Sequence, residues 1–204
     1  MDKVPDQMAY GVPVAPLVSV VGDCFCVPYQ IDLIVKKKIR GVTDAHIDVL
    51  DITGNLLFQL DGSLWQLNKK RIMRDPAGLR ILTMREKAMT CRHRWTVHGG
   101  ESSDASHMLY SVQRSNALQM KTRLDVFLPS NAIEDVPNFQ VIGSYHSHSF
   151  KVYRDQTLLA EVNDNFKLGS FLWKGKESFQ VRVYPGVDYA FIIALLVILN
   201  ENDV

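Results

Sequence analysis

The feature that most constrains this chain is an apolar run close to its C-terminal end. Residues 189–199 read Tyr-Ala-Phe-Ile-Ile-Ala-Leu-Leu-Val-Ile-Leu, without a single charged side chain. As a helix the run is roughly 16 Å long, about half of the roughly 30 Å hydrocarbon core of a bilayer. A helix that is apolar on every face must be buried on every face. We therefore predict a helix over 188–200 that is enclosed by the rest of the chain and does not span a membrane. The side chains expected to plug the core are Tyr189, Phe191, Ile192, Leu195, Leu196 and Leu199.

Three pairs of short alternating runs predict β-hairpins upstream of this helix. The turns between them read Thr53-Gly54-Asn55, Asp75-Pro76-Ala77-Gly78 and Asp155-Gln156. Asp, Asn, Gly and Pro are the residues that tight turns favour, and alternation of apolar and polar residues is typical of strands with one buried face. Three such hairpins in one chain indicate an antiparallel meander.

Further segments with the same alternation bring the count to about twelve strands. They are residues 31–39, 92–98, 108–114, 121–128, 139–145 and 178–184, and residues 163–172 are expected to add at most a helical turn. Twelve strands remove their exposed edges by closing into a barrel, whose interior is too wide for its own side chains to fill. The predicted fold is therefore mainly β, an antiparallel closed barrel around the buried C-terminal helix.

The bulk features predict one domain at residues 29–204 and an N-terminal arm at residues 1–28. The arm contains four of the eight prolines and is expected to be extended or partly disordered. Three cysteines, at 24, 26 and 91, do not make a disulfide framework. With no secretory signal pattern at the start, the expectation is a monomeric intracellular protein, located in the cytoplasm, at a membrane periphery or in the nucleus.

The net charge of +1 conceals a strong asymmetry along the chain. Residues 36–123 contain 16 Lys/Arg against 8 Asp/Glu, a net of +8, whereas the remainder has 7 against 14, a net of −7. Two basic clusters are candidates for binding the anionic headgroups of membrane lipids, because lysines near a membrane surface attract such lipids. Their members are Lys36, Lys37, Lys38, Arg40, Lys69, Lys70, Arg71 and Arg74. The alternatives are that the two halves attract each other and that the lysines protect strand edges.

The order of several segments resembles the plant LURP-one-related family. These include Leu33-Ile-Val-Lys-Lys-Lys, Val49-Leu-Asp-Ile-Thr-Gly-Asn and, most strongly, residues 179–199, beginning Phe-Gln-Val-Arg-Val-Tyr-Pro-Gly-Val-Asp. The resemblance covers residues 29–201 and implies the fold of the tubby C-terminal domain, which is structurally similar to phospholipid scramblases. It further implies a link to plant defence and, from tubby-type relatives, phosphoinositide binding. It supplies no catalytic residues.

Two other motifs favour ordinary structural roles. His146-Ser-His148 is similar to the ligand pair of zinc-dependent deubiquitinating proteases, but the aspartate that would complete the site is replaced by Leu159. In Arg92-His93-Arg94-Trp95, alternation places His93 and Trp95 on one face, and we expect Trp95 in the core and the arginines in solvent.

The sequence therefore predicts a protein that acts by binding and is not an enzyme, with no cofactor and no metal. Its expected partners are anionic membrane lipids through the basic clusters. The runner-up is a protein-interaction module in defence signalling that uses the polar loop 99–107, and a third reading is lipid scrambling. No recognition element for nucleic acid is evident, and the short helix argues against an integral membrane protein.

Overall fold

Twelve short strands follow one another along the chain, and the last of them pairs with the first. The computed structural model describes residues 17–40, 44–63, 69–87, 90, 92–102, 104–115, 123–144, 149–162 and 178–202, with backbone alone at 38–40, 44–45 and 63. The strands are β1 (Ile31–Arg40), β2 (Asp44–Leu50), β3 (Leu56–Ser63), β4 (Lys70–Arg74), β5 (Arg80–Glu86), β6 (Trp95–Gly99), β7 (Met108–Arg114), β8 (Arg123–Phe127), β9 (Phe139–Ser144), β10 (Ser149–Arg154), β11 (Thr157–Val162) and β12 (Ser178–Val183). All pairs are antiparallel and close a barrel in sequence order, so the predicted fold class is confirmed.

The apolar and polar residues that alternate in the sequence face the inside and the outside of the barrel in turn. In β10, Phe150 and Val152 are buried while Ser149 and Lys151 are exposed. The turn after β2 is fixed by the Asp51 carboxylate, which accepts the backbone N–H groups of Thr53 and Asn55 at 2.8 and 2.9 Å. Gly54 in that turn has a φ of 92°, which favours glycine. The predicted helical turn at 163–172 lies outside the described residues.

The one α-helix among the described residues, α1 (Tyr189–Asn202), fills the barrel. Tyr189 is half-buried, and the next thirteen residues are buried, including the other five predicted plug residues. The ring of Phe191 contacts Tyr110 of β7 and Phe139 of β9, at centroid distances of 5.1 and 5.0 Å. Among the described residues, no helix is both long enough and apolar enough to cross a bilayer.

The direction of α1 defines two ends of the barrel. We call the end where α1 begins the upper end, and the end where it finishes the lower end. Odd-numbered strands run from the upper end to the lower end and even-numbered strands return, because neighbours are antiparallel and α1 follows the last residue of β12. Every connection therefore belongs to one end or the other.

The described part of the N-terminal arm lies across the upper end. Val18 forms an isolated bridge with Val187, just before α1, and the Phe25 ring packs on Phe58 and Tyr189 at 5.8 and 5.6 Å. Residues 1–16 of the predicted arm lie outside the described residues. Burial and the nearby Asp188 carboxylate raise the pKa of the Cys26 thiol to about 11.

The barrel interior includes a hydroxyl without a hydrogen-bond partner among the described residues, that of Tyr110. An unpaired buried hydroxyl costs about 1–3 kcal/mol of desolvation. We therefore expect Tyr110→Phe to raise the free energy of unfolding by about 1 kcal/mol, measured by urea denaturation. The matched control is Tyr184→Phe, which removes a hydroxyl that donates to Glu161 at 2.9 Å and should lower stability. A loss of stability in Tyr110→Phe would show that this hydroxyl has a partner.

Candidate anion-binding end of the barrel

The cations of the basic segment collect at the lower end. Of the Lys and Arg residues between positions 36 and 123 that the structure describes, all but Arg74 and Arg80 lie in the lower half of a strand or in a lower connection. They are Lys36, Lys37, Lys38, Arg40, Lys69, Lys70, Arg71, Arg85, Lys87, Arg92, Arg94, Arg114 and Arg123. Strand alternation then divides them into side chains that face the helix and side chains that face outward.

The strongest inward contact joins Arg71 of β4 to Glu201 in the last turn of α1. The guanidinium Nε and Nη2 donate to Glu201 Oε1 at 3.0 and 2.6 Å, and both side chains are buried. Gly62 of β3 makes room for this pair, since a Cβ at that position would lie 2.4 Å from Arg71 Cδ. The Arg71 guanidinium is therefore bound to the last turn of α1 and is not available to a ligand outside the barrel.

Two lysines also contact the last turn of α1. Lys69 Nζ donates to the backbone carbonyl of Glu201 at 3.2 Å and lies 3.7 Å from its Oε2, while Lys37 Nζ lies 3.5 Å from Asn200 Oδ1. The C-terminal end of a helix carries a partial negative charge and unsatisfied carbonyls, so cations there are favourable. These contacts stabilise the end of α1 inside the barrel.

The cations whose side chains face outward include a pair of like charges on neighbouring strands. Lys70 of β4 and Arg85 of β5 are directly opposite each other in the ladder, an arrangement that is destabilising without a counter-charge. Lys87 and Arg92 follow in the β5–β6 connection and are exposed. Within the described part of the chain, none of these four has a carboxylate partner within 4.0 Å. The arrangement can bind a polyanion without breaking an existing ion pair.

The other predicted headgroup residues have different surroundings. Arg74 lies 3.8 Å from the Asp61 carboxylate and donates to the Gly78 carbonyl at 3.3 Å. Lys36 lies in the lower half of β1, and the side chains of Lys38 and Arg40 lie outside the described part of the chain. The structure thus brings Lys70 together with Arg85, which sequence reasoning missed because Arg85 lies fourteen positions beyond Arg71, outside both basic clusters.

The Arg-His-Arg-Trp segment departs in part from its predicted alternation. Trp95 is 1% exposed and faces the core, as expected. Strand β6 begins only at Trp95, because His93 has a φ of 47° in a turn and its ring lies 2.9 Å from Glu86. Arg94 is held on the outer wall by Glu134, so it is not a free solvated charge. His146 and His148 lie outside the described residues.

Comparison with known proteins identifies the family to which this chain belongs. The model of the LURP-one-related family matches residues 31–200, which span all twelve strands and most of α1. The chain belongs to the LURP-one-related family. This assignment confirms the resemblance read from the sequence.

Relatives of this LURP-one-related chain are known in Arabidopsis thaliana. It is 49% identical to Protein LURP-one-related 14, over 92% of each chain. It is 42% identical to Protein LURP-one-related 9, over 92% of this chain and 98% of that protein. An X-ray structure of an Arabidopsis thaliana protein has 34% sequence identity to it and a TM-score of 0.69, over 91% of this chain and 99% of that one. This chain therefore shares its fold with that solved structure over nearly its whole length.

Proposed function

We propose that the protein is a non-enzymatic binding module whose lower end docks on anionic headgroups of a membrane, phosphoinositides being the preferred class. The observation that carries the proposal is the collection of cations at the lower end, with Lys70, Arg85, Lys87 and Arg92 facing outward. The cytoplasmic leaflet, which carries anionic lipids, is the location that this chemistry favours. A role in plant defence belongs to the same proposal and rests on the family resemblance alone.

Neither alternative from the sequence has comparable support. Hydrogen bonds within the protein hold the described residues of the loop at 99–107. Thr83 donates to the Gly100 carbonyl at 2.7 Å, and the Asp104 N–H donates to Ser102 at 3.1 Å. Scrambling through an inserted helix would require α1 to leave the barrel. That would expose thirteen buried residues and break the Arg71–Glu201 pair.

The test is co-sedimentation with vesicles of phosphatidylcholine alone and with added phosphatidylinositol bisphosphate, at low and high salt. We expect retention only with the anionic lipid and its loss at high salt. A cation near a membrane surface contributes about 1 kcal/mol, so Lys70→Ala/Arg85→Ala should weaken binding about 30-fold.

The matched control removes two cations from the upper half, in the variant Arg80→Ala/Arg154→Ala. Arg80 pairs with Glu101 at 2.7 Å, and Arg154 is exposed. This variant should bind anionic vesicles like the unmodified protein. Equal weakening by both double variants, or retention that is indifferent to salt, would reject the proposal.

A further inference from the structure

The connections at the upper end have a composition opposite to that of the lower end. They are residues 17–30, 51–55, 75–79, 100–107, 128–138, 155–156 and 184–188. The sequence places no Lys or Arg in any of these segments. It places nine acidic residues there: Asp23, Asp51, Asp75, Glu101, Asp104, Glu134, Asp135, Asp155 and Asp188.

The same connections carry nearly all the exposed large apolar side chains of the described residues. Those at the upper end are Leu17, Tyr29, Ile52, Leu79, Ile133 and Val136, and the remaining one, Ile142, lies on the wall in β9. Single exposed apolar residues are ordinary, whereas neighbouring ones that share a surface are typical of an interaction site.

Three of these apolar residues, Tyr29, Ile52 and Leu79, belong to neighbouring connections on one side of the upper end. Ile52 and Leu79 are 67% and 70% exposed and belong to the β2–β3 and β4–β5 turns. Because β3 pairs with β4, the two turns lie side by side, about 10 Å apart by strand spacing. Tyr29 follows Phe25, whose ring contacts Phe58 near the start of β3. We call Tyr29, Ile52 and Leu79, with the acids beside them, the upper-end patch.

Each apolar residue of the upper-end patch has a carboxylate nearby in sequence. Hydrogen bonds from Thr53 and Asn55 lower the pKa of Asp51 to about 2, so its carboxylate stays negatively charged even in mildly acidic solution. Asp75 accepts the Leu79 N–H at 2.8 Å, and Asp23 is exposed. Within the described residues, no Lys or Arg forms an ion pair with these three acids.

We propose that the upper-end patch is a docking surface for a protein segment in which basic residues alternate with apolar ones. The charge favours a basic partner, since the upper connections carry nine acidic residues and no Lys or Arg of their own. Two of those acids, Glu101 and Glu134, pair with Arg80 and Arg94, whereas Asp23, Asp51 and Asp75 are left to meet a partner's cations. The apolar residues Ile52 and Leu79 would bury against the partner and contribute to the affinity through the apolar area removed from water. This surface lies at the end of the barrel opposite to the outward cations and is independent of them.

The probe is a short synthetic peptide of alternating Lys and Leu, titrated into the full chain by calorimetry. Comparison peptides of alternating Lys and Ser, and of alternating Glu and Leu, test the apolar and the basic requirement separately. We expect the Lys/Leu peptide to bind at least about tenfold more tightly than either. Amide chemical shifts should change at residues 51–55 and 75–79 and not at the lower end.

The variant is Ile52→Ser/Leu79→Ser, and the matched control is Ile133→Ser/Val136→Ser on the β8–β9 connection. All four side chains are exposed, so thermal unfolding should be unchanged in both variants. The first variant should weaken the Lys/Leu peptide at least about tenfold and the control less than about twofold.

Four results would overturn the proposal: no binding of the Lys/Leu peptide, equal weakening by both variants, equal binding of the Lys/Ser peptide, or shifts confined to the lower end. A fifth is self-association of the protein that disappears in Ile52→Ser/Leu79→Ser. That result would assign the surface to a second copy of this chain and not to a basic partner.

Discussion

Replacing Arg71 with Ala should lower the free energy of unfolding by about 3–5 kcal/mol, as when one partner of a buried ion pair is removed. The variant would leave the Glu201 carboxylate, with a side chain 7% exposed, inside the barrel without its closest cation. It would also leave the negative end of the α1 dipole less well compensated. Urea denaturation monitored by tryptophan fluorescence measures the change.

Two control variants distinguish the loss of the Arg71–Glu201 ion pair from a general loss of positive charge. Lys69→Ala should cost at most about 1 kcal/mol, since the Lys69 side chain is 32% exposed and its Nζ lies 3.7 Å from Glu201 Oε2. The double variant Arg71→Met/Glu201→Leu should recover most of the loss, because apolar residues can replace a buried ion pair at little cost. If Arg71→Ala is no more destabilising than Lys69→Ala, the pair does not hold the end of α1.

Replacing Asp188 with Ala should have a similarly large effect at the other end of the helix. Asp188 is fully buried, and its Oδ1 accepts the Phe191 N–H at 3.0 Å, which makes it the N-cap of α1. Its Oδ2 accepts the N–H groups of Val20, Val21 and Gly22 at 3.1, 2.7 and 3.1 Å. One carboxylate thus caps the helix and fastens the N-terminal arm.

We expect Asp188→Ala to lower the free energy of unfolding by about 3–5 kcal/mol, because it removes a cap and leaves several partly buried donors unsatisfied. Hydrogen exchange at the amides of Val20, Val21 and Gly22 should accelerate as the arm detaches. Asp188→Asn, which keeps one acceptor oxygen, should be intermediate. Asp23→Ala, at an exposed acid of the same arm, should change stability by less than about 0.5 kcal/mol. Slow exchange at those amides in Asp188→Ala would mean that other contacts hold the arm.

The architecture could be predicted from the sequence because its signals are local. Alternation in the strands, Asp and Gly in the turns, and a helix without a polar face each restrict one element, and together they require a barrel with a plug. The helix was predicted at 188–200, whereas it is observed at Tyr189–Asn202. Glu201 and Asn202 extend it because Arg71 and Lys69, distant in sequence, satisfy its last turn.

The sequence could predict the region of the candidate site but not the direction in which each cation faces. Alternation indicates that Lys36 and Lys37 face opposite sides of β1, but only the contact of Lys37 with Asn200 shows which one faces the helix. Lys69, Lys70 and Arg71 read as one basic cluster, although two of them contact Glu201 and one faces outward. Arg85 joins Lys70 through the β4–β5 register, which no sequence pattern specifies. Charge clusters in sequence therefore overstate the number of cations that are free to bind a ligand.

The two ends of the barrel differ in charge, and we expect the lower end to face an anionic membrane. Hydrogen exchange measured by mass spectrometry, with and without phosphatidylinositol bisphosphate vesicles, tests it on the unmodified protein. We expect vesicles to slow exchange in peptides that contain Lys70, Arg85, Lys87 and Arg92, with no change at residues 51–55 and 75–79. Protection at those upper turns, or no protection anywhere, would contradict it.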